Sequence, residues 1–405
     1  MYAVIDVETS GLRASRHDRI IEIAVVHLDE RGRVQRDWCS LINPERDLGP
    51  QPIHGISADE AGRAPTFAQL AGQVSALLRG RMLVAHNLAL DTLFLAAEFR
   101  HLGLTVPLDA QHGLCTMQLA PHFLPSAGRS LIDCRRAAGL PDHRAYSALH
   151  DAHAAAELLG HYLTITGSPA PWAPALARCR SLPWPTLPAA TVAPVRRRSA
   201  GVRERRFLTR LADRLPRQQE PRADAYLDLL DQVLLDRDIS AAEADGLSTV
   251  AESLGLGRAD VRSLHRRYLT ALATVALADG VLTAAERHDL DRVAAHLGLP
   301  ATAVGRAVAD AASTQARPDR QFWQLRRGDV VVFTGTTEPA SAEWHAGAEA
   351  AGLVVGDGVN KRTRLLIAAD PTATSGQTLR ARQYGVPVVH PQAYRAMLDT
   401  LLQPA

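Results

Sequence analysis

The sequence predicts a multidomain α/β protein, and three observations carry that expectation. The chain has 405 residues and 46% apolar content, more than one typical domain of roughly 100 to 200 residues needs. Its first 165 residues open with short β-branched runs and continue with helical periodicity. Composition then shifts at three places, which divides the chain into units at 1–165, 166–217, 218–316 and 325–405.

In the first unit, residues 2 to 7 (YAVIDV), 20 to 28 (IIEIAVVHL) and 34 to 42 (VQRDWCSLI) read as strands separated by turn-forming segments, an antiparallel meander. Helical patterns follow at 66 to 78, 88 to 101, 130 to 138 and 147 to 165, with a short strand, MLVAH, at 82 to 86. Helices packed on a central sheet are expected. Residues 166–217 carry SPAPWAP, LPWPTLP and ATVAP, too proline-rich for a helix or central strand, and read as a linker. Nine arginines against Glu204 and Asp213 lie between Val195 and Arg217. That run fits either a nucleic-acid contact or the solvated start of the next unit.

The unit at 218–316 is expected to be all-α and contains a repeat. DRDISAAEADGLSTVAESLGL (236–256) matches DGVLTAAERHDLDRVAAHLGL (279–299) at an offset of 43 residues. Each copy has S/T-A-A-E, a helix-starting capping box at Ser240/Glu243 and Thr283/Glu286. Each ends on a glycine suited to a helix C-cap, Gly255 and Gly298. Asp236, Asp238 and Ser240 also fit the first positions of a calcium loop, but Ala241 and Leu247 stand where such a loop needs Gly and Glu. In 325–405, VVVFTG, RLLIAA and PVVH alternate with helical stretches and read as a small α/β unit with a parallel sheet.

Composition excludes little. Net charge is only +2, unevenly spread, and Lys361 is the one lysine among 45 basic residues. Cys39, Cys115, Cys134 and Cys179 lie far apart with no CxxC pair, so neither a zinc site nor a disulfide framework is expected. No stretch reads as a signal peptide or membrane span, and a cytoplasmic protein without membrane contact is expected.

The chemistry lies in carboxylates. In VIDVETSG, Asp6 and Glu8 are two apart on a strand and leave the same face. Asp91 stands early in the helix after VAHN, and Asp151 early in the long helix near 147 to 165. Four converging carboxylates suit two Mg²⁺ or Mn²⁺ ions, hard cations that take oxygen ligands. Thr9 and Gly11 would mark the turn after the strand, either a plain turn or a place where the backbone approaches a nucleotide. His86 and Asn87 would orient the helix entry.

DVETSGL, DRIIEIAVV, HGIS, VAHNLALD and SALHDAHAAAELL, in this order and spacing, resemble the DnaQ-like (DEDD) 3′→5′ exonucleases. The resemblance implies a ribonuclease H-like fold, two-metal hydrolysis releasing nucleoside 5′-monophosphates from the 3′ end of DNA or RNA, and Asp6, Glu8, Asp91 and Asp151 as metal ligands. The family's fifth residue departs. Its histidine branch places a base five residues before the last aspartate, where this chain has Tyr146, and its tyrosine branch places Tyr four before, where Ser147 stands. A phenol with pKa near 10 is a poor base at neutral pH, so Tyr146 is expected to orient the attacking water. His143 and His150 are expected to matter little. A rival expectation is a weakened nuclease fold serving as a scaffold.

The helical repeat resembles TerB-like domains. The last unit resembles a BRCT domain, with Thr334, Gly335 and Arg380 at the positions of its phosphate-binding residues. That implies a phosphorylated protein or 5′-phosphorylated DNA as partner. A strand-ending turn and a solvated arginine explain the same three residues.

Overall fold

The computed structural model describes the chain except residues 15–17, 50, 110–111, 126, 142–146, 168, 189–191, 199–214, 216–217, 219, 235–240, 278–281, 316–324, 336–340, 372–374, 385 and 403–405. Tyr146, His143, Asp236, Asp238 and Ser240 fall outside the described residues.

The N-terminal unit is built on a five-stranded mixed sheet. Strands β1 (Tyr2–Thr9), β2 (Ile20–Leu28) and β3 (Val34–Leu41) form the antiparallel meander, while β4 (Met82–Ala85) and β5 (Leu114–Cys115) add in parallel, in the order β3-β2-β1-β4-β5. Short helices α1 (Gln51–His54) and α2 (Ala58–Gly62) precede α3 (Phe67–Leu78), which together with α4 (Leu88–His101) covers one face. On the other face lie α5 (Thr116–Phe123), α6 (Leu131–Ala137), α7 (Ala148–Thr166) and α8 (Ala173–Cys179).

Both faces are buried, and β1 shows why. Ala3 and Ile5 enter the α3/α4 core, whereas Tyr2 and Val4 enter the α7 core. The two-residue period then carries Asp6 and Glu8 onto the α7 side beyond the apolar core. This is a mixed α/β sheet with helices on both faces.

The segment expected as a linker joins the units but does not run free. Trp172, Leu176 and Cys179 lie in the α7 core, and Trp184, Leu187 and Val192 pack on the α3/α4 core. Proline forbids ladder hydrogen bonds, not burial. A Cβ on Gly72 would stand 1.8 Å from the Pro188 carbonyl oxygen, so that position must be glycine. Residues 192–198 then follow the sheet edge: the Leu41 N–H donates to the Val195 carbonyl at 2.7 Å, and Arg196 pairs with Asp37 at 2.8 Å.

The helical unit comprises α9 (Pro221–Val233), α10 (Ala241–Ser253), α11 (Arg258–Ala276), α12 (Ala284–His296) and α13 (Thr302–Gln315) around one apolar core. Thr283 and Glu286 form the expected capping box of α12, and Gly255 (φ 69°) and Gly298 (φ 63°) follow helix ends in the left-handed region that glycine tolerates. The C-terminal unit is a parallel sheet in the order β7-β6-β8-β9, from β6 (Val330–Thr334), β7 (Val354–Gly356), β8 (Thr363–Ala368) and β9 (Val388–Val389). Its helices are α14 (Ser341–Ala350), α15 (Gly376–Tyr384) and α16 (Pro391–Leu402).

Both units dock on the first. His122 on α5 donates from Nδ1 to the Val388 carbonyl at 2.6 Å, and the His390 N–H donates back to the His122 carbonyl at 2.9 Å. The helical unit lies against the turn after β1 and the start of α4, where Leu12 and Leu90 pack on its core. Among the described residues, no helix is long and apolar enough to cross a membrane.

Candidate active site

Asp6, Glu8 and Asp151 come together: one carboxylate oxygen from each lies within 4.8 Å of the others. β1 presents the first two. The third stands in the first turn of α7, whose start is fixed by Ser147, an N-cap that accepts the His150 N–H at 3.4 Å.

Asp91 arrives from the opposite face. Pairing of β1 with β4 ends at Val4–Val84, and beyond it the Val7 N–H donates to Asp91 Oδ1 at 3.1 Å. The first turn of α4 thereby bonds to the strand that bears Asp6 and Glu8. Asp91 is outside the 4.8 Å group but adjacent to it, since its charge is the leading electrostatic influence on Asp6.

The electrostatics favour a cation. Burial, then the charges of Asp91, Asp151, Glu8 and Glu22, push the Asp6 carboxyl well above its ordinary range. Burial lifts Asp91 to about 8 against the stabilising Val7 N–H, with Asp228 adding repulsion. Clustered carboxylates that raise one another's pKa are costly unless a positive charge joins them. An all-oxygen donor set of this charge is compatible with a divalent cation.

The neighbouring histidines have other partners. His86 donates from Nε2 to the Arg129 carbonyl at 2.8 Å and meets Thr116 Oγ1 at 2.9 Å through Nδ1, which ties β4 to α5 and α6. His150 meets Ser147 Oγ at 2.7 Å, and His153 meets Asp37 at 3.1 Å. Thr9 Oγ1 donates to the Gly11 carbonyl at 2.8 Å. A Cβ on Gly11 would lie 2.6 Å from an Asp18 carboxylate oxygen, so the turn's own packing accounts for the glycine. In the C-terminal unit, Thr334 ends β6, Gly335 follows at φ 86°, and Arg380 is exposed on α15.

Three charged residues escaped the sequence reading. Glu22 faces Glu8 in the β1–β2 register and is 1% exposed. It was visible as an acid in the otherwise apolar IIEIAVV. Arg197, from the arginine run, pairs with it through both guanidinium and carboxylate edges. Asp228, on α9, accepts from Asn87 Nδ2 at 3.0 Å, while the same amide donates to the Ala225 carbonyl at 3.2 Å. Asn87, expected to orient the α4 entry, is thus held by the helical unit.

A mixed sheet whose central strand and two flanking helices gather carboxylates is an arrangement suited to metal-assisted hydrolysis. A model of the exonuclease family matches residues 3–159. The DNA polymerase III subunit epsilon of Treponema pallidum is 34% identical over 163 residues, which is 39% of this chain and 74% of that protein. The 3′-5′ exonuclease DinG of Bacillus subtilis is 30% identical over 189 residues, 46% of this chain and 19% of that protein. E. coli Exonuclease I, solved in complex with a dA16 oligonucleotide, is a loose structural neighbour at TM-score 0.36 and 13% identity, covering 78% of this chain and 80% of that one. The chain belongs to the exonuclease family, and its N-terminal unit is a 3′-5′ exonuclease domain.

Proposed function

We propose that the protein is a metal-dependent 3′→5′ exonuclease that releases nucleoside 5′-monophosphates, with DNA favoured over RNA and a role in DNA repair or processing. The observation that carries this reading is the approach of Asp6, Glu8 and Asp151 within 4.8 Å, with Asp91 bonded to the same strand. These four side chains would hold two Mg²⁺ or Mn²⁺ ions, which when bound supply water activation and charge stabilisation of the departing 3′ oxygen. The protein's own part is to keep Asp151 on α7 and Asp91 on α4 in register with β1.

The test is incubation of pure protein with 3′- and 5′-labelled single- and double-stranded DNA and RNA, in Mg²⁺, Mn²⁺ or EDTA. Stepwise loss from the 3′ end of DNA, abolished by EDTA, is expected. No cleavage in any arm would leave a scaffold with a nuclease fold. Tyr146 is assigned the role of orienting the water, so Tyr146→Phe should slow this reaction far less than Asp151→Asn. Tyr146→His should speed it near pH 7 to 8, where neutral imidazole accepts a proton.

The helical and C-terminal units are proposed as TerB-like and BRCT-like domains. The hydroxyl of Thr334, the N–H of Gly335 and the guanidinium of Arg380 would hold a phosphate of a protein partner or DNA end. Arg380→Ala in the full chain should then weaken binding of a 5′-phosphorylated oligonucleotide or phosphopeptide and leave the unphosphorylated forms unaffected. Equal binding of both forms by the unsubstituted protein would refute the assignment.

A further inference from the structure

The strap at residues 192–198 brings a cation to the edge of the carboxylate site. Arg197 Nε donates to Glu22 Oε1 at 3.0 Å, its Nη2 donates to Glu22 Oε2, and its Nη1 donates to the His54 carbonyl at 3.0 Å. Both side chains are shut away from water, 8% exposed for Arg197 and 2% for Glu22. The Glu22 carboxylate is joined to two elements that carry the site. It lies on β2 opposite Glu8, and its Oε2 accepts the N–H of Ala148, first residue of α7, at 3.1 Å. Asp151 stands three residues further along that helix.

An acid buried among other acids must be compensated if it is to remain a charged acceptor. Arg197 supplies the compensation in a fork that fixes the carboxylate's plane as well as its charge. We propose that Arg197 is a positioning residue of the exonuclease site: by clamping Glu22 it holds the first turn of α7, and with it Asp151, in register with Asp6 and Glu8. The inference rests on the exonuclease reading for its catalytic consequence but not for its structural one. It also places a needed residue outside the segment 3–159 that matches the family.

The experiment uses the full chain with Arg197→Met, Arg197→Lys, the double variant Arg197→Met/Glu22→Gln, and Arg196→Ala as a control on the same strap. Groups that orient metal ligands typically contribute about 10- to 100-fold in metal affinity or rate. Arg197→Met should therefore lower kcat by roughly that factor with KM within about twofold, and raise the midpoint of Mn²⁺-induced thermal stabilisation by about tenfold. Without metal, the amides of residues 148–151 should exchange hydrogen faster. The double variant should recover slow exchange, because the Gln carbonyl still accepts from Ala148 and no buried charge is left unpaired. Arg196→Ala, whose partner Asp37 is 34% exposed, should change nothing. Arg197→Met with unchanged exchange at 148–151 and an unchanged Mn²⁺ midpoint would overturn the proposal. If the unsubstituted protein cleaves no substrate, the exchange arm still decides the clamp while the functional reading falls. Should Arg197→Met fail to fold, Arg197→Lys, which keeps the charge but loses the fork, carries the same comparison.

Discussion

Asp91→Asn is expected to abolish hydrolysis and to raise the melting temperature of the metal-free protein. Asparagine keeps an oxygen that can accept the Val7 N–H, so the bond between α4 and β1 survives. It removes a charge that burial and Asp228 oppose, the cause of the rise of this carboxyl to about 8. The sign of the pH effect follows. An acid whose folded pKa lies above its unfolded value near 3.9 contributes stability that is fully present below about pH 4 and lost as pH rises through about 8. The Asn variant has no such loss at this site. The gap in melting temperature should open across that window in EDTA and be largest above pH 8, where the corresponding difference in unfolding free energy is on the order of a few kcal/mol.

Asp6→Asn should behave alike, since its carboxyl is raised by burial and by Asp91, Asp151 and Glu8 together. Millimolar Mn²⁺ should stabilise the unsubstituted protein through linkage and leave both variants nearly unmoved. Melting curves in EDTA and Mn²⁺ from pH 4 to 9 make the comparison. Parallel curves for the three proteins, with no response to Mn²⁺, would mean that these carboxylates hold no metal.

The carboxylates were legible because each obeys a local period. Asp6 and Glu8 follow the two-residue alternation of a strand whose earlier positions are plainly apolar, and Asp91 and Asp151 sit one turn into helices with readable starts. The elements that went unread lack such a signature. α5 is eight residues long and contains Pro121, and β5 is two residues. Arg197 lies 175 positions from Glu22, and Asp228 lies 141 from Asn87. No window of sequence links such pairs. The proline-rich stretch argues against a helix, yet α8 (Ala173–Cys179) forms there with Pro174 in its first turn, where a missing N–H breaks no helical bond. It also says nothing of packing, because Trp184, Leu187 and Val192 find their apolar surface only after the sheet and its helices exist.

Asp231→Ala is expected to cost about 3–5 kcal/mol, the usual penalty for stranding one member of a buried ion pair. Arg129 is 1% exposed, and its guanidinium donates to Asp231 Oδ2 from Nε at 3.1 Å and from Nη2 at 2.6 Å. The Tyr268 hydroxyl donates to the other oxygen at 2.7 Å. Burial lifts the Asp231 carboxyl above its ordinary range while Arg129 and Tyr268 pull it down. Two guanidinium nitrogens on one carboxylate oxygen nonetheless make Asp231 a principal acceptor for Arg129. Arg129 belongs to the exonuclease unit and Asp231 to α9, so the loss falls on the joint between units. Asp228 and Ala225 on the same helix hold Asn87 at the start of α4, one turn before Asp91. Loosening α9 should therefore lower kcat as well as stability. Arg129→Met/Asp231→Leu, which removes both charges and fills the space with apolar atoms, should restore much of the stability, because such replacements are often near neutral. If that double variant regains both melting temperature and kcat, the helical unit acts on the site through docking alone. If it regains stability with kcat still low, the polar groups of α9 matter to the reaction itself. A melting temperature for Asp231→Ala within a degree of the unsubstituted protein would show that Arg129 remains solvated or finds another acceptor, and that the two units are not coupled through this pair.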